Sequence, residues 1–481
     1  MVSALRSLGK AGRRGLLLGH RWLGIATALL FALWIGSGLV MLYVPFPNLT
    51  HAERLAHLAP MAWEQVRVGP DAALAAASLP DTPSVVSLEM RDGKPVFQIG
   101  ATDGARRTVS AATGATLGPV REDEARRIAG GRRGESLWRD QWTVAGRYDP
   151  LRPFFKVALA DEAGTERYVS AVTGEIVLDT TRWQRGWNWV GAVTHWVYLT
   201  PLRARPEAWR QVVLWLSGVA CVTALTGVTV GIWRLRLRRR YRGKAVSPYR
   251  GLALWHHGFG LVGGLGLVSF ILSGWLSMNP NRWFSSLSPP ETVLTAYAGH
   301  PGLIGFDARA LAGFGGADLR ALRFAPIGGR WWVIRDMAGG PQPVADPRSP
   351  DEREAALIAA ASHAIAGGGL SEVRRLSAHD AYWYPNGDPR PLPVLRLIFD
   401  DPSATWLHID PRDGTILNRL DQSGRVNRWL FAGLHRLDWP GLTLRPVSRE
   451  VSQWVLNLLA AGVALSGLIL GWRRLRARIA R

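Results

Sequence analysis

Cysteine is nearly missing from this chain. The single one in 481 residues, Cys221, lies inside an apolar run. That excludes an intrachain disulfide, a thiolate-held iron–sulfur cluster and a Cys-x-x-Cys-His haem attachment. Charge is missing from four stretches: residues 22–44, 212–233, 258–278 and 455–472 contain no Asp, Glu, Lys or Arg. Each is close to the roughly 20 residues that cross a hydrocarbon core. Without carboxylates in them, an intramembrane proton relay has no carriers, and a hydrophilic transport path has little lining. A glycine-rich nucleotide fingerprint opening a helix after a strand is also missing, as are Ser-His-Asp and zinc-protease motifs. The glycines of residues 258–266 fall inside an apolar stretch and read as helix packing.

What is abundant is positive charge, and its placement is informative. The net charge is +21, and 18 of these charges sit in three acid-free segments, residues 1–21, 234–251 and 473–481. The remainder, with 40 basic and 37 acidic residues, nearly balances. Basic flanks beside apolar spans mark a cytoplasmic face rather than a nucleic-acid surface. Tryptophan is also frequent, and Trp22, Trp215, Trp233, Trp275, Trp454 and Trp472 stand near span ends, as interfacial anchors do.

These features predict a membrane protein with a four-transmembrane-helix bundle built as a tandem 2+2 repeat. Residues 1–21 form a cytoplasmic N-terminus, and 22–44 the first span. The first span is longer than a signal-peptide core and lacks a small-x-small cleavage site, so it reads as a retained helix. Residues 45–211 form a first outer region and 212–233 the second span. A basic cytoplasmic loop follows at 234–257, then the third span at 258–278. Residues 279–454 form a second outer region, 455–472 the fourth span and 473–481 a basic cytoplasmic tail. In a bacterium this is an inner-membrane protein with both termini cytoplasmic and two large periplasmic regions.

The outer regions carry strand-like alternation at 85–117, 154–178, 319–344 and 394–417. Helical patterns precede these at 71–78, 122–129, 308–314 and 350–366. Three turns share one chemistry: Ser110-Ala111-Ala112-Thr113-Gly114, Ser170-Ala171-Val172-Thr173-Gly174 and Asp410-Pro411-Arg412-Asp413-Gly414. Thr-Gly and Asp-Gly between apolar strands favour hairpins. Four small α+β units are expected, two per region. The stretch Val344-Ala345-Asp346-Pro347 lacks the turn, so the third unit departs from the pattern.

Four histidines keep register with four hydroxyl–glycine pairs. Gly24 and Gly260 follow His20 and His256 by four residues, and the glycines of Ser37-Gly38 and Ser273-Gly274 follow them by 18. His195 and His435 each precede a glycine by 32 residues, in Thr226-Gly227 and Ser466-Gly467. Parallel repeats are related by an axis along the membrane normal, which sets equivalent residues face to face. His20 would then oppose His256 at the cytoplasmic mouths of spans one and three. His195 would oppose His435 near the outer ends of spans two and four. Two facing imidazoles can ligate a haem iron from both sides, each using one nitrogen while the other N–H is held by an acceptor. The glycines allow a helix or a flat macrocycle to approach closely. His257, beside His256, is an alternative ligand at that position. A multi-ligand transition-metal cage fits less well, because it needs three or four converging donors. His408 lies in a strand pattern and reads as structural.

The His-x-x-x-Gly before spans one and three, the Thr/Leu-His before spans two and four, and the Thr/Asp-Gly hairpins resemble the PepSY-associated transmembrane helix family. The resemblance covers nearly the whole chain. It implies two periplasmic α+β PepSY-like regions and, in the branch with four spans, an inner-membrane ferric-siderophore reductase carrying b-type haem, two haems in all. It implies that His20 and His256 hold one haem iron and His195 and His435 the other, with His257 still open as a ligand. It further implies a role in iron uptake: an oxidoreductase that takes electrons from an unidentified cytoplasmic or membrane donor and reduces a periplasmic ferric siderophore. Trp183, Trp187, Trp189, Trp196, Trp429 and Trp439 surround the outer histidines in sequence and could pack on the chelate or on the haem edge. Arg182, Arg185, Arg428 and Arg436 could meet haem propionates or an anionic chelate. The competing expectation is a non-catalytic PepSY protein, anchored by four spans, that binds a peptide, a peptidase or another partner.

Overall fold

The computed structural model describes residues 9–79, 83–101, 103–238, 240–316, 318–337, 340–343, 348–387 and 389–479. The helical layer consists of α1 (Lys10–Met41), α2 (Pro206–Arg234), α3 (Leu252–Val262), α4 (Gly264–Ser277) and α5 (Pro446–Ile479). Helices α1, α2 and α5 are each long and apolar enough to cross a membrane, and α3 with α4 makes a fourth candidate span, bent by 64°. The helices outrun their uncharged stretches. Helix α1 begins at Lys10 within the basic flank, and α5 runs on through Arg473, Arg474, Arg476 and Arg478. Arg, Lys, Leu and Ala all favour helix, and long cationic side chains can carry their charge away from apolar surroundings. His20 therefore lies inside α1 rather than ahead of a helix.

The span expected over 258–278 is broken at Gly263. Adjacent glycines are a common cause of sharp kinks, and here α5 presses on both sides of the break. A Cβ on Gly263 would lie 2.7 Å from Leu459 Cβ, and one on Gly462 would lie 2.8 Å from the Phe259 ring. Close approach at small residues is the general basis of helix contact without a hydrophobic driving force. Between the helices sits a core of Phe31, Trp34 and Ile35 from α1, Ala220, Cys221 and Ala224 from α2, Leu267, Phe270 and Ile271 from α4, and Ala460 and Ala464 from α5. The basic ends gather together: Arg13 lies over the Trp233 ring and Arg478 over the Trp22 ring. At the opposite end, Tyr43 donates to Glu450 and accepts from Trp454 Nε1, tying α1 to α5.

From that end the chain enters three antiparallel sheets. Strands β1 (Pro83–Arg91), β2 (Lys94–Ala101), β3 (Arg106–Ser110) and β4 (Thr116–Leu117) come from the first region. Strands β9 (Ala321–Ile327), β10 (Arg330–Met337) and β11 (Gly340–Pro343) come from the second, and all seven join in the order β11-β10-β9-β1-β2-β3-β4. The four separate units expected from the sequence thus become three, because β1 pairs with β9, Val86 opposite Phe324 and Glu89 opposite Ala321. Pairing removes two open edges and pools Val86, Leu88, Phe97, Ile99, Phe324 and Val333 into one core. The other two sheets hold four strands each: β5 (Arg133–Leu137), β6 (Phe154–Ala158), β7 (Glu166–Ser170) and β8 (Ile176–Thr180), then β12 (Leu370–Leu376), β13 (Val394–Phe399), β14 (Trp406–Ile409) and β15 (Ile416–Leu420). Gly114, Gly174 and Gly414 have φ of +77°, +80° and +72°, the backbone their turns require. The stretch Val344-Ala345-Asp346-Pro347 lies outside the described residues.

Candidate functional site

Both four-stranded sheets return the chain to the helices by the same device. A short helix, Arg182–Asn188 or Gln422–Asn427, starts at a capping side chain, Thr181 or Asp421. A π-helical turn follows, Trp189–Val193 or Arg428–Gly433. One widened turn rotates the side chains that come next, and such turns are frequent at functional sites. The next polar ring is His195 or His435. Two residues later the backbone turns left-handed, at Val197 (φ 51°) and Leu437 (φ 56°), and the chain reverses toward α2 or α5.

Each of the four histidines rests against a hydroxyl–glycine pair on its partner helix within the same repeat. His195 Nδ1 is 3.1 Å from Ser37 Oγ and 3.1 Å from the Trp34 carbonyl. His435 Nδ1 is 3.0 Å from Ser273 Oγ and 3.1 Å from the Phe270 carbonyl. His256 Nδ1 is 2.9 Å from Ser466 Oγ, and His20 Nδ1 is 3.5 Å from Thr226 Oγ1. The adjoining glycines clear space for the rings. A Cβ on Gly38, Gly274, Gly467 or Gly227 would lie 3.4, 3.6, 3.2 or 2.8 Å from Cε1 of the seated histidine. The sequence reading treats these pairs as places of close helix or macrocycle approach. The structure sets them under the imidazoles, but with the partners exchanged: His20 and His256 rest on the pairs that keep spacing with His195 and His435, and the reverse.

An N–H at Nδ1 donated to a carbonyl or hydroxyl fixes the neutral tautomer with a lone pair on Nε2. No Nε2 of these four has a hydrogen-bond partner among the described residues. The rings then meet in pairs across the two repeats. His20 and His256 have centroids 6.5 Å apart with planes at 27°, and His195 and His435 have centroids 6.0 Å apart with planes at 68°. A metal held between two imidazoles by bonds of about 2 Å sets ring centroids about 6 Å apart. Both pairs have this spacing. Along α1, His20 precedes Ser37 by 17 residues, so the two pairs lie at levels about 25 Å apart at the helical rise.

The His20–His256 pair borders a cavity of about 440 Å³. Gly24 and Gly260 line it, and a Cβ on either would meet nothing within 4 Å. The glycines four residues after the histidines thus leave room for a bulky flat ligand. Arg21 and Arg474 also line the cavity, at its basic end. Neither was singled out by the sequence, where they are two arginines among many in basic flanks.

His257 also lines the cavity, but both its nitrogens are taken: Nδ1 is 2.8 Å from Ser247 Oγ and Nε2 2.9 Å from the Gly231 carbonyl. It has no lone pair to give, so the choice between neighbours left by the sequence falls to His256. His408 is fully buried, accepts from Arg396 Nε at 2.8 Å and stacks on Trp383. Burial, with the Arg396 charge, pushes its pKa down to about 3, which fits a structural ring. The arginines near His195 and His435 in sequence are largely committed to protein. Arg185 bonds the Thr180 and Gly164 carbonyls, Arg428 those of Ala381 and Asp438, and Arg436 pairs with Asp438. Trp183, Trp187 and Trp189 are exposed, whereas Trp196 packs on Phe46 and Tyr198, and Trp429 on Trp439. No group of three or more His, Cys, Asp or Glu side chains forms a metal cage among the described residues. No family profile matches this chain, and no curated protein matches it.

Proposed function

We propose that this chain is a b-type haem oxidoreductase of the bacterial inner membrane, of the PepSY-associated kind, that passes electrons outward to a periplasmic ferric siderophore. The observation that carries this reading is the fourfold seat: four imidazoles, each held through Nδ1, meeting in two pairs at the centroid spacing of a metal sandwich. Non-catalytic anchoring of a partner-binding module has no use for four oriented rings in two facing pairs.

In this reading the four helices form a tandem 2+2 bundle. Its basic ends are cytoplasmic and its two PepSY-like regions periplasmic. His20 and His256 hold the haem on the basic side, and His195 and His435 hold the one on the sheet side. The inner cavity fits the group: His20 and His256 would hold the iron, Gly24 and Gly260 leave room beside them, and Arg21 and Arg474 would meet carboxylates. Haem supplies one-electron chemistry when bound. The protein's own part is orientation and exclusion. Thr226, Ser466, Ser37 and Ser273 hold the rings in the ligating tautomer, and Phe31, Trp34, Leu267, Phe270 and Ile271 keep water out of the space between the levels. At the outer end, reduction weakens a ferric chelate because siderophore oxygens prefer the harder ferric ion. No carboxylate cage is needed to hold the metal.

The test is a reduced-minus-oxidised spectrum of the purified full chain with haem quantified per polypeptide. Two b-type haems per chain are expected. A colourless protein sinks the reading.

A further inference from the structure

The two histidine pairs differ in one respect that the repeat does not require. The inner rings lie close to parallel, at 27°, and the outer rings close to perpendicular, at 68°. The difference has visible causes. All four rings are held at two points, by a hydroxyl and by the carbonyl three residues before it on the same helix, those of Trp34 and Phe270 for the outer pair and of Thr223 and Val463 for the inner. His435 is further clamped between aromatic rings, with Phe431 stacked at 5.3 Å and Phe270 edge-on at 6.1 Å. The inner rings have no aromatic clamp among the described residues. Their hydroxyl contacts are unequal, 2.9 Å for His256 and 3.5 Å for His20.

Resting on the haem reading above, we propose that these seats set the ring planes and so make the two haems electronically distinct, the outer one being the more easily reduced. Ser37, Ser273 and Phe431 are positioning residues for the outer centre, and Thr226 and Ser466 for the inner. The argument is orbital alignment. In low-spin ferric iron the electron hole lies in one of two d orbitals able to overlap with ligand π systems. Near-parallel imidazoles both donate into the same orbital. They split the pair of orbitals and stabilise the ferric state. Near-perpendicular imidazoles donate into one orbital each, which leaves the pair nearly degenerate and the ferric state less favoured. The inner centre should then give an ordinary rhombic low-spin signal and the lower potential. The outer should give a strongly anisotropic signal with a larger maximal g value and the higher potential. Potential that rises from the basic side to the sheet side gives the proposed route its outward direction.

The experiment is low-temperature electron paramagnetic resonance of the oxidised full-length protein, followed by a potentiometric titration. Two low-spin ferric signals of equal weight are expected, one rhombic and one strongly anisotropic, with the anisotropic one disappearing first as the potential is lowered. Phe431→Leu and Ser273→Ala should shift only the anisotropic signal and only the higher midpoint, and Ser273→Thr should restore both. Ser466→Ala should shift only the rhombic signal. Two matching rhombic signals in the unaltered protein overturn the proposal while leaving the haem reading intact, as does a variant that moves both signals together. A protein without haem overturns both. The unaltered protein alone decides the main point, so a variant that fails to fold does not block the test.

Discussion

His257 Nε2 accepts no metal-side role because it lies 2.9 Å from the Gly231 carbonyl, one of the last four carbonyls of α2. That carbonyl also accepts the Leu235 N–H at 3.1 Å, so His257 shares it with the helix end. Together with the Ser247 contact and the Tyr249 ring at 5.3 Å, this pins the basic loop to the ends of α2 and α3. His257→Ala should therefore keep both haems while lowering stability by about 1 kcal/mol, the usual net worth of a buried hydrogen bond, since Gly231 and Ser247 keep other partners. His256→Ala should do the reverse, with one haem lost and little change in the loop. Haem per chain and thermal unfolding, measured on both variants, separate the two residues. Retention of two haems by His256→Ala would show that the ligand had been assigned to the wrong neighbour.

The four seat glycines should differ in tolerance. An added Cβ would come within 2.8 Å of the ring at Gly227 and 3.2 Å at Gly467, but only 3.4 Å at Gly38 and 3.6 Å at Gly274. Gly227→Ala forces His20 to move, and overpacking of this kind costs about 1–3 kcal/mol. It should remove the inner haem selectively. Gly274→Ala reaches ordinary contact and should keep both haems. The readout is haem content across the four alanine variants, and equal losses at all four positions would contradict the seat geometry.

Away from the helices, Glu89 is buried where the large sheet meets the β5–β8 sheet. Arg54 Nη1 bridges it to Glu175, at 3.0 and 3.2 Å. Burial, with the Glu175 charge, pushes the Glu89 pKa up to about 7, against the pull of Arg54 and of a hydrogen bond from Gln98. Burial also opposes the charge on Arg54, but Glu89 and Glu175 more than offset it. A raised carboxyl pKa means that the folded state binds the extra proton. The resulting stability is complete below the unfolded value of about 4.3 and is lost as pH rises through about 7. Glu89→Gln removes this titration. Between pH 5 and pH 8 the melting temperature of the unaltered protein should fall by a few degrees more than that of the variant, the shift expected for a change of about 2–3 kcal/mol in a chain of this size. Parallel pH profiles for the two proteins would rule Glu89 out as the titrating group.

Much of the plan could be read from residue spacing, because a duplication writes its register into the chain. The uncharged runs located α1, α2 and α5, and the Thr-Gly and Asp-Gly turns located their hairpins. What escaped was set by partners distant in sequence or by surfaces without a pattern. Strands β5 and β12 are edge strands with mostly exposed side chains, so they carry no apolar alternation. The pairing of β1 with β9 joins residues more than 200 positions apart, and nothing local marks it. The break at Gly263 depends on Leu459 from another helix. At the candidate site the histidines and the hydroxyl–glycine pairs were both visible. Their mutual contact was not, because it depends on the helical rotation that places Nδ1 over its seat.

The order of the proposed route can be tested by cutting it at each level. His435→Ala removes one donor of the outer pair and leaves His20 and His256 facing at 6.5 Å. Such a protein should keep one haem, still reducible from the basic side, and should lose reduction of a ferric chelate by at least an order of magnitude. His256→Ala should keep the outer haem, which a small reductant added from the sheet side would still reach. Electrons supplied from the basic side would not. The measurement uses protein in sealed vesicles of known orientation, with haem reduction followed after adding an impermeant reductant to one side. If His256→Ala leaves reduction from the basic side at its original rate, the inner pair is not on the path. The 17-residue spacing between His20 and Ser37 would then reflect repeat architecture rather than a relay.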